Sequence, residues 1–290
     1  MTTALASAPS RTALPKASDR LPLGLSGLQV SPICLGIVGD PEIIPAAFDA
    51  GVNFFFVSGD LHWRLYEKLR KGLELLFSRG RGIRDQIVVG AVSYLDPPLF
   101  NALQFNEIID EVRGLERIDL LLAGGVWSAQ NLQGRLDPMQ RLRGIGYLGS
   151  RAIGASFHDR KTALLSVNCE ALDIQFIRYN TAHPGARTEM FPLLRDDRHS
   201  RIYNFKSMMS RVSSTRFREL GLYGSYWEPE ATDYYRFALS PPAMDGVLCS
   251  PNTLDEFHQL LLALEEKPLT LKEEQYMMWL SSVGSMRFFE

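Results

Sequence analysis

The chain has 290 residues, of which 46% are hydrophobic and 22% charged, with a formal net charge of −2, enough to bury a substantial core. That near-balance excludes the concentrated basic face of a nucleic-acid binder, and no apolar run approaches the ~18 residues of a membrane span, so neither nucleic acid nor membrane is expected as a partner. Cys34, Cys169 and Cys249 stand far apart without metal-type spacing, which reads as free thiols in a reducing, cytoplasmic setting.

Residues 1–20 are rich in Ala, Ser, Thr and Pro and lack the apolar centre of a secretion signal. They read as a disordered arm, a composition that an organelle transit peptide would share. Residues 21–290 then read as one domain. "LPLGLSGLQV" predicts a small β-hairpin, after which short apolar runs alternate with helical patterns. "SPICLGIV" (31–38) precedes "PEIIPAAFDAG", and "VNFFFVS" (52–58) precedes a segment whose Leu65, Leu69, Leu73 and Leu76 recur at helical spacing. "QIVVGAVSY" (86–94) leads to "FNEIIDEVRGL", and "RIDLLLAGGVW" (117–127) to a looser stretch ending "PMQRLRGIG". "RAIGASF" (151–157), "ALDIQFIRYN" (171–180), "RIYNFKSM" (201–208) and "MDGVLCS" (244–250) are each followed by a helical pattern in turn.

Strands this apolar are covered on both faces, as parallel strands with crossover helices are. Eight strand-then-helix units predict an α/β fold, a (β/α)8 TIM barrel with an N-terminal hairpin. The doubly wound open sheet is the rival, but no early strand is followed by its GxGxxG turn.

In a barrel, chemistry belongs where strands run into helices. Those ends carry Ser58, Asp60 and His62, then Ser93, Tyr94 and Trp127, then Ser156, His158, Asp159 and Arg160. Arg178, Tyr179, Asn180 and His183 follow, then Asn204, Lys206 and Ser207, and finally Ser250 and Asn252. Arg178 should share the inward orientation of Phe176, two residues before it, and a buried guanidinium needs an anion. That anion is either an internal carboxylate, Asp173, Asp159 or Asp60, or the carboxylate or phosphate of a substrate. His158 beside Asp159 is a candidate general base, although Asp159 could instead cap the next helix. Lys206 is a candidate nucleophile or a solvated rim charge, and His183, in a Pro-Gly loop, is either aimed at the site as a substrate contact or packs the loop. Asp60 and His62, i and i+2 on a strand exit, suit a proton-transfer pair or a hydrogen-bonded rim equally. Phe56, Tyr94, Trp127, Arg160 and Asn180 are candidate substrate contacts. No metal is expected, because His62, His158, His183 and Asp60 lack a recognised ligand spacing.

These segments together resemble the aldo/keto reductases. "LGLSGLQVSPICLG" is similar to that family's opening hairpin and first strand, and "AAFDAGVNFFFVS", "IDLLLAG" and "RAIGASFHDR" resemble three later segments. The resemblance implies the barrel, and it implies NADPH with an Asp, Tyr, Lys and His at the strand ends. Those four positions fall on Phe56, near Leu61 or His62, on Val92 and on Gly124. The groups that would hold the nicotinamide amide fall on Ser156, Phe157 and Phe176, the stacking aromatic on Phe205, and the 2′-phosphate loop on the cation-free "SPNTLDE". Phe54, Phe56, Phe157 and Phe176 are therefore expected to close the nicotinamide pocket into an apolar floor. The resulting expectation is a cofactor-independent enzyme of the reductase fold, catalysing dehydration, cyclisation or isomerisation of an anionic, carbonyl-bearing metabolite. One alternative is an NAD(P)H-dependent oxidoreductase with a rearranged tetrad drawn from His62, Lys206 or Tyr94. The other is a non-catalytic binding or scaffold protein.

Overall fold

A computed structural model describes residues 11–285. β1 (Leu21–Pro22) and β2 (Gln29–Val30) form the antiparallel hairpin. The following strands are β3 (Ile33–Leu35), β4 (Phe54–Ser58), β5 (Val88–Ser93), β6 (Leu120–Val126), β7 (Ala152–Phe157), β8 (Ile174–Arg178), β9 (Arg201–Phe205) and β10 (Gly246–Cys249). They pair in parallel, each with its chain neighbours, and β10 returns to β3 to close the barrel. All eight predicted strands are present and in order.

The outer layer holds α1 (Ile43–Asp49), α2 (Glu67–Ser78), α3 (Leu103–Glu111), α4 (Ala129–Arg143) and α5 (Arg160–Asn168). It continues with α6 (Ala186–Glu189), α7 (Ser214–Glu219), α8 (Ala231–Leu239), α9 (Leu254–Glu265) and α10 (Leu271–Ser285). The stretch read as loose, before "RGIG", is the regular helix α4. Ser128 caps it by accepting from the Asn131 N–H, and the helix runs through Pro138. Conversely, the pattern after β8 gives only the short α6 and a 3-10 turn at Phe191–Leu193, because Pro192 supplies no N–H to carry a helix on.

The end of the expected disordered arm is docked on the barrel. Leu14 and Ala17 are buried, and the Arg11 guanidinium donates to the carbonyl oxygens of Pro242 and Met244. The arm's first ten residues lie outside the described ones. A cavity of about 570 Å³ runs beneath this strap, between Leu14 and Ala17 on one side and Leu261 and Leu264 of α9 on the other.

Strand alternation and register decide what fills the barrel. Phe54, Phe56, Phe176 and Tyr203 point inward and touch, with ring centroids 5.3 Å apart for Phe56–Phe176 and 5.6 Å for Phe54–Tyr203. Glycines on other strands make the room for these rings. A Cβ on Gly246 would lie 2.4 Å from the Tyr203 ring, and one on Gly154 would lie 2.6 Å from Ile174.

The strand-entry end is sealed by a repeated device. Asn53, Asp119, Asp173 and Asp245 each stand one residue before β4, β6, β8 or β10. Each accepts a backbone N–H from a strand-entry residue of the preceding barrel segment: Ser31 at 2.7 Å, Val89 at 2.8 Å, Ile153 at 2.9 Å and Ile202 at 2.8 Å. Arg84 and Arg198 complete the charge balance of Asp119 and Asp245. The Asn53 amide and the three carboxylates of this layer are thus paired, as burial requires.

Candidate functional site

Two halves of the opposite, strand-exit rim differ in what their polar groups are doing. On the β4–β6 half, Asp60 is fully engaged. Its Oδ2 accepts from Ser93 Oγ at 2.6 Å and the Tyr94 N–H at 2.9 Å, and its Oδ1 accepts from the Leu61 N–H at 2.6 Å. Of the two readings of Asp60, the hydrogen-bonded rim matches this geometry: the carboxylate fastens two loops together. His62 is exposed and sits ahead of the 3-10 turn Trp63–Tyr66, with its ring edge-on to Tyr94 at 4.8 Å. Tyr94 lies over Gly124, where a Cβ would come within 2.5 Å of the ring. Burial, with the Asp60 charge second, pushes its phenol up to about 12. Trp127 is 65% exposed at the outer edge.

β6 carries an irregularity between Ala123 and Val126, where Gly125 has φ +65. A β-bulge near a site re-aims the chain. Here the Gly125 N–H donates to Ser156 Oγ at 2.8 Å, and buried Arg135 holds the Gly124 carbonyl at 2.7 Å. Arg135 went unrecognised in the sequence because it lies inside a helix, eleven residues from the carbonyl it serves.

On the β7–β10 half the inward-facing residues at the strand ends are Ser156, Arg178, Phe205 and Leu248, all half-buried. Arg178 pairs in register with Phe205 and stands one inward step beyond Phe176, as alternation predicts. Its three expected carboxylate partners are all committed elsewhere. Asp173 belongs to the other end of the barrel, Asp60 to the loop network, and Asp159 caps α5 by accepting from the Thr162 N–H at 2.9 Å and Thr162 Oγ1 at 2.6 Å. Among the described residues Arg178 has no hydrogen bond or ion pair.

His158 and His183 face this guanidinium. The imidazole of His158, perpendicular to the Phe205 ring at 6.2 Å, is held below the usual histidine range by burial first, then by Arg178 and Lys206. Burial also lowers His183, followed by Arg178, Arg160 and Lys206. Both shifts favour the neutral imidazole. Lys206 is exposed, in the left-handed region at φ 62. Arg160 is matched by a fork to Glu189, at 2.7 and 2.8 Å.

Asn180, expected to touch substrate, is 1% exposed and spends both ends of its amide inside the protein. Oδ1 accepts from the N–H groups of Ala182 and His183 and faces His183 Nδ1 at 3.0 Å, while Nδ2 donates to the Lys206 carbonyl at 2.9 Å. Phe157 also departs from expectation. It pairs with Ile177 rather than Phe176, so it lies on the helix-facing side of the sheet and outside the aromatic floor. Tyr66 takes the vacant place in that cluster, 6.3 Å from the Phe56 ring. Its position after an irregular loop gave no spacing signal. No group of three or more His, Cys, Asp or Glu among the described residues is placed to hold a metal ion.

The sequence matches no protein-family model and no curated protein. The fold is similar to that of MGS-M4, an aldo-keto reductase enzyme from a Medee basin deep-sea metagenome library, with a TM-score of 0.62 and 13% sequence identity over 94% of this chain and 98% of that one. The likeness is one of fold, a closed eight-stranded parallel barrel.

Proposed function

We propose that the β7–β10 half of the rim binds a small anionic, carbonyl-bearing metabolite and moves protons on it without a hydride donor. The reaction class is dehydration, cyclisation or isomerisation. The observation that carries this reading is Arg178, a half-buried guanidinium beside two histidines whose possible internal carboxylates are all engaged elsewhere. A forked guanidinium matches a carboxylate or phosphate in two parallel bonds. With the anion so held, neutral His158 or His183 accepts a proton from carbon or oxygen next to the carbonyl, and returns it at the neighbouring atom. Lys206 offsets negative charge that develops on the carbonyl oxygen. The aromatic floor beneath excludes water from the lower side of the ligand. The free thiols of Cys34, Cys169 and Cys249 suit a reducing, cytoplasmic setting.

The fold likeness favours a second reading, a nicotinamide-dependent reductase. The residues at the positions implied by the family resemblance fit that cofactor poorly. Phe157 and Phe176 have no hydrogen-bonding group for a carboxamide, Phe176 is packed into the barrel interior, and the loop at Asn252–Glu256 carries Asp255 and Glu256 but no cation.

Titration of the whole protein with NADPH and NADP⁺, alongside sulfate and a series of short keto acids, separates the two readings. Saturable binding of an anion with no response to millimolar cofactor is expected. Tight NADPH binding with aldehyde reduction overturns the proposal.

A further inference from the structure

Asn180 occupies an unusual place between the two groups assigned above to proton transfer and charge compensation. Its amide orientation is fixed by chemistry alone. Two of the groups facing Oδ1 are backbone N–H donors, of Ala182 at 3.2 Å and His183 at 3.0 Å, which can only donate. The group facing Nδ2 is the Lys206 carbonyl at 2.9 Å, which can only accept. With Oδ1 so identified, the His183 ring nitrogen 3.0 Å from it must carry the hydrogen. The neutral imidazole is then the Nδ1–H tautomer, and Nε2, which has no partner among the described residues, keeps the lone pair.

The other end of the same amide acts on Lys206, one of three non-glycine residues with positive φ among the described residues, the others being Glu116 and Glu170. Left-handed backbone is unfavourable for a side-chain-bearing residue, and persists where neighbours over-determine it. The bond to the Lys206 carbonyl, donated from a residue 1% exposed, is such a constraint.

We infer that Asn180 is the positioning residue of the mouth. It fixes His183 as the Nδ1–H tautomer with Nε2 as the proton-accepting atom, and it holds the Lys206 backbone so that ammonium and imidazole address one ligand. This rests on the reading of the mouth as an acid–base site for an anion, and it adds which atom takes the proton. The charged groups around His183 are Arg178 from β8, Arg160 from α5 with its partner Glu189 from α6, and Lys206 after β9.

Histidine ring ¹⁵N spectra of the intact protein test this without any substrate. In the wild type at pH 8, His183 should show a protonated Nδ1 and a bare Nε2. Asn180→Ala should shift the tautomer towards Nε2–H. Asn180→Asp, nearly isosteric and chosen in case the alanine variant fails to fold, should restore Nδ1–H and move the His183 titration upward by about 1 pH unit. An Nε2–H tautomer in the wild type overturns the inference, as does a His183 spectrum and titration unchanged in both variants. Sulfate titration followed on the same histidine signals keeps the two claims apart. Sulfate binding with the wrong tautomer sinks the role of Asn180 alone, whereas the right tautomer with no response to sulfate or keto acids sinks the anion site.

Discussion

Phe176 and Arg178 are two residues apart on one strand and face the same way, yet they belong to different worlds. Phe176 is fully buried against Phe54, Phe56 and Tyr203, and its layer is made possible by glycines on the facing strands. Arg178 is half-buried and has no internal partner among the described residues. One inward step along β8 thus separates a layer whose interactions are complete from one whose strongest group is left open. The same contrast runs around the rim, where Asp60 has its oxygens occupied while Arg178, Lys206 and His183 Nε2 do not. Open valence, more than residue type, distinguishes the candidate site from the scaffold.

The largest effect should come from the closed layer. Phe176→Ala removes a fully buried ring and should cost about 3–5 kcal/mol, read as a fall in the urea midpoint with little change in its slope. A loss below about 1 kcal/mol would mean the aromatic floor is not packed as described. Arg178→Met should behave in the opposite way. Stability should stay within about 0.5 kcal/mol of the wild type, while anion affinity falls at least about tenfold, the loss of a charge-assisted contact worth roughly 1.5–3 kcal/mol. Marked destabilisation instead would reveal an internal role for the guanidinium.

Asp60→Asn sharpens the comparison across the rim. It weakens the bonds to Ser93 and Tyr94 and should cost about 1 kcal/mol of stability with anion binding unchanged. Binding that drops as far as in Arg178→Met would place the ligand on the wrong half. The smallest effect is the dependence on pH. His158 and His183 are held below their ordinary value in the folded protein, so the unfolded chain binds more protons around pH 6–7. Their contribution to stability is therefore present above the ordinary histidine value and is lost as pH falls towards the folded values. An anion beside Arg178 relieves the repulsion and raises both, so sulfate, whose charge is constant here, should bind more tightly at pH 6 than at pH 8. A flat profile, or one unchanged by replacing both histidines with Gln, would separate these rings from the anion.

Much of this was legible beforehand because it is local. Apolar runs separated by helical patterns specify eight parallel units, as a strand buried on both faces needs no alternation and a crossover needs a helix. The inward aim of Arg178 followed from a period of two. The partners did not follow, because a carboxylate bonds whatever the folded chain brings within 3 Å, and sequence distance does not report that. Asp173 looked close to Arg178 in sequence but lies at the opposite end of the strand. Asp159 answered to its own helix, and Asp60 answered to Ser93, 33 positions away. Phe157 is placed in the floor by the family resemblance, which maps it onto a nicotinamide-holding position, whereas its register with Ile177 turns it to the helix-facing side. Asn180 was read as a substrate contact from its place at a strand end, and only the closing of β8 against β9 brought the Lys206 carbonyl to its amide. The sequence by itself thus determined the barrel, the rim and the inward aim of Phe176 and Arg178, since these depend on neighbours along the chain. Which rim groups are satisfied and which stay open was decided by tertiary structure alone, since hydrogen-bond partners are set by loops that meet across the barrel.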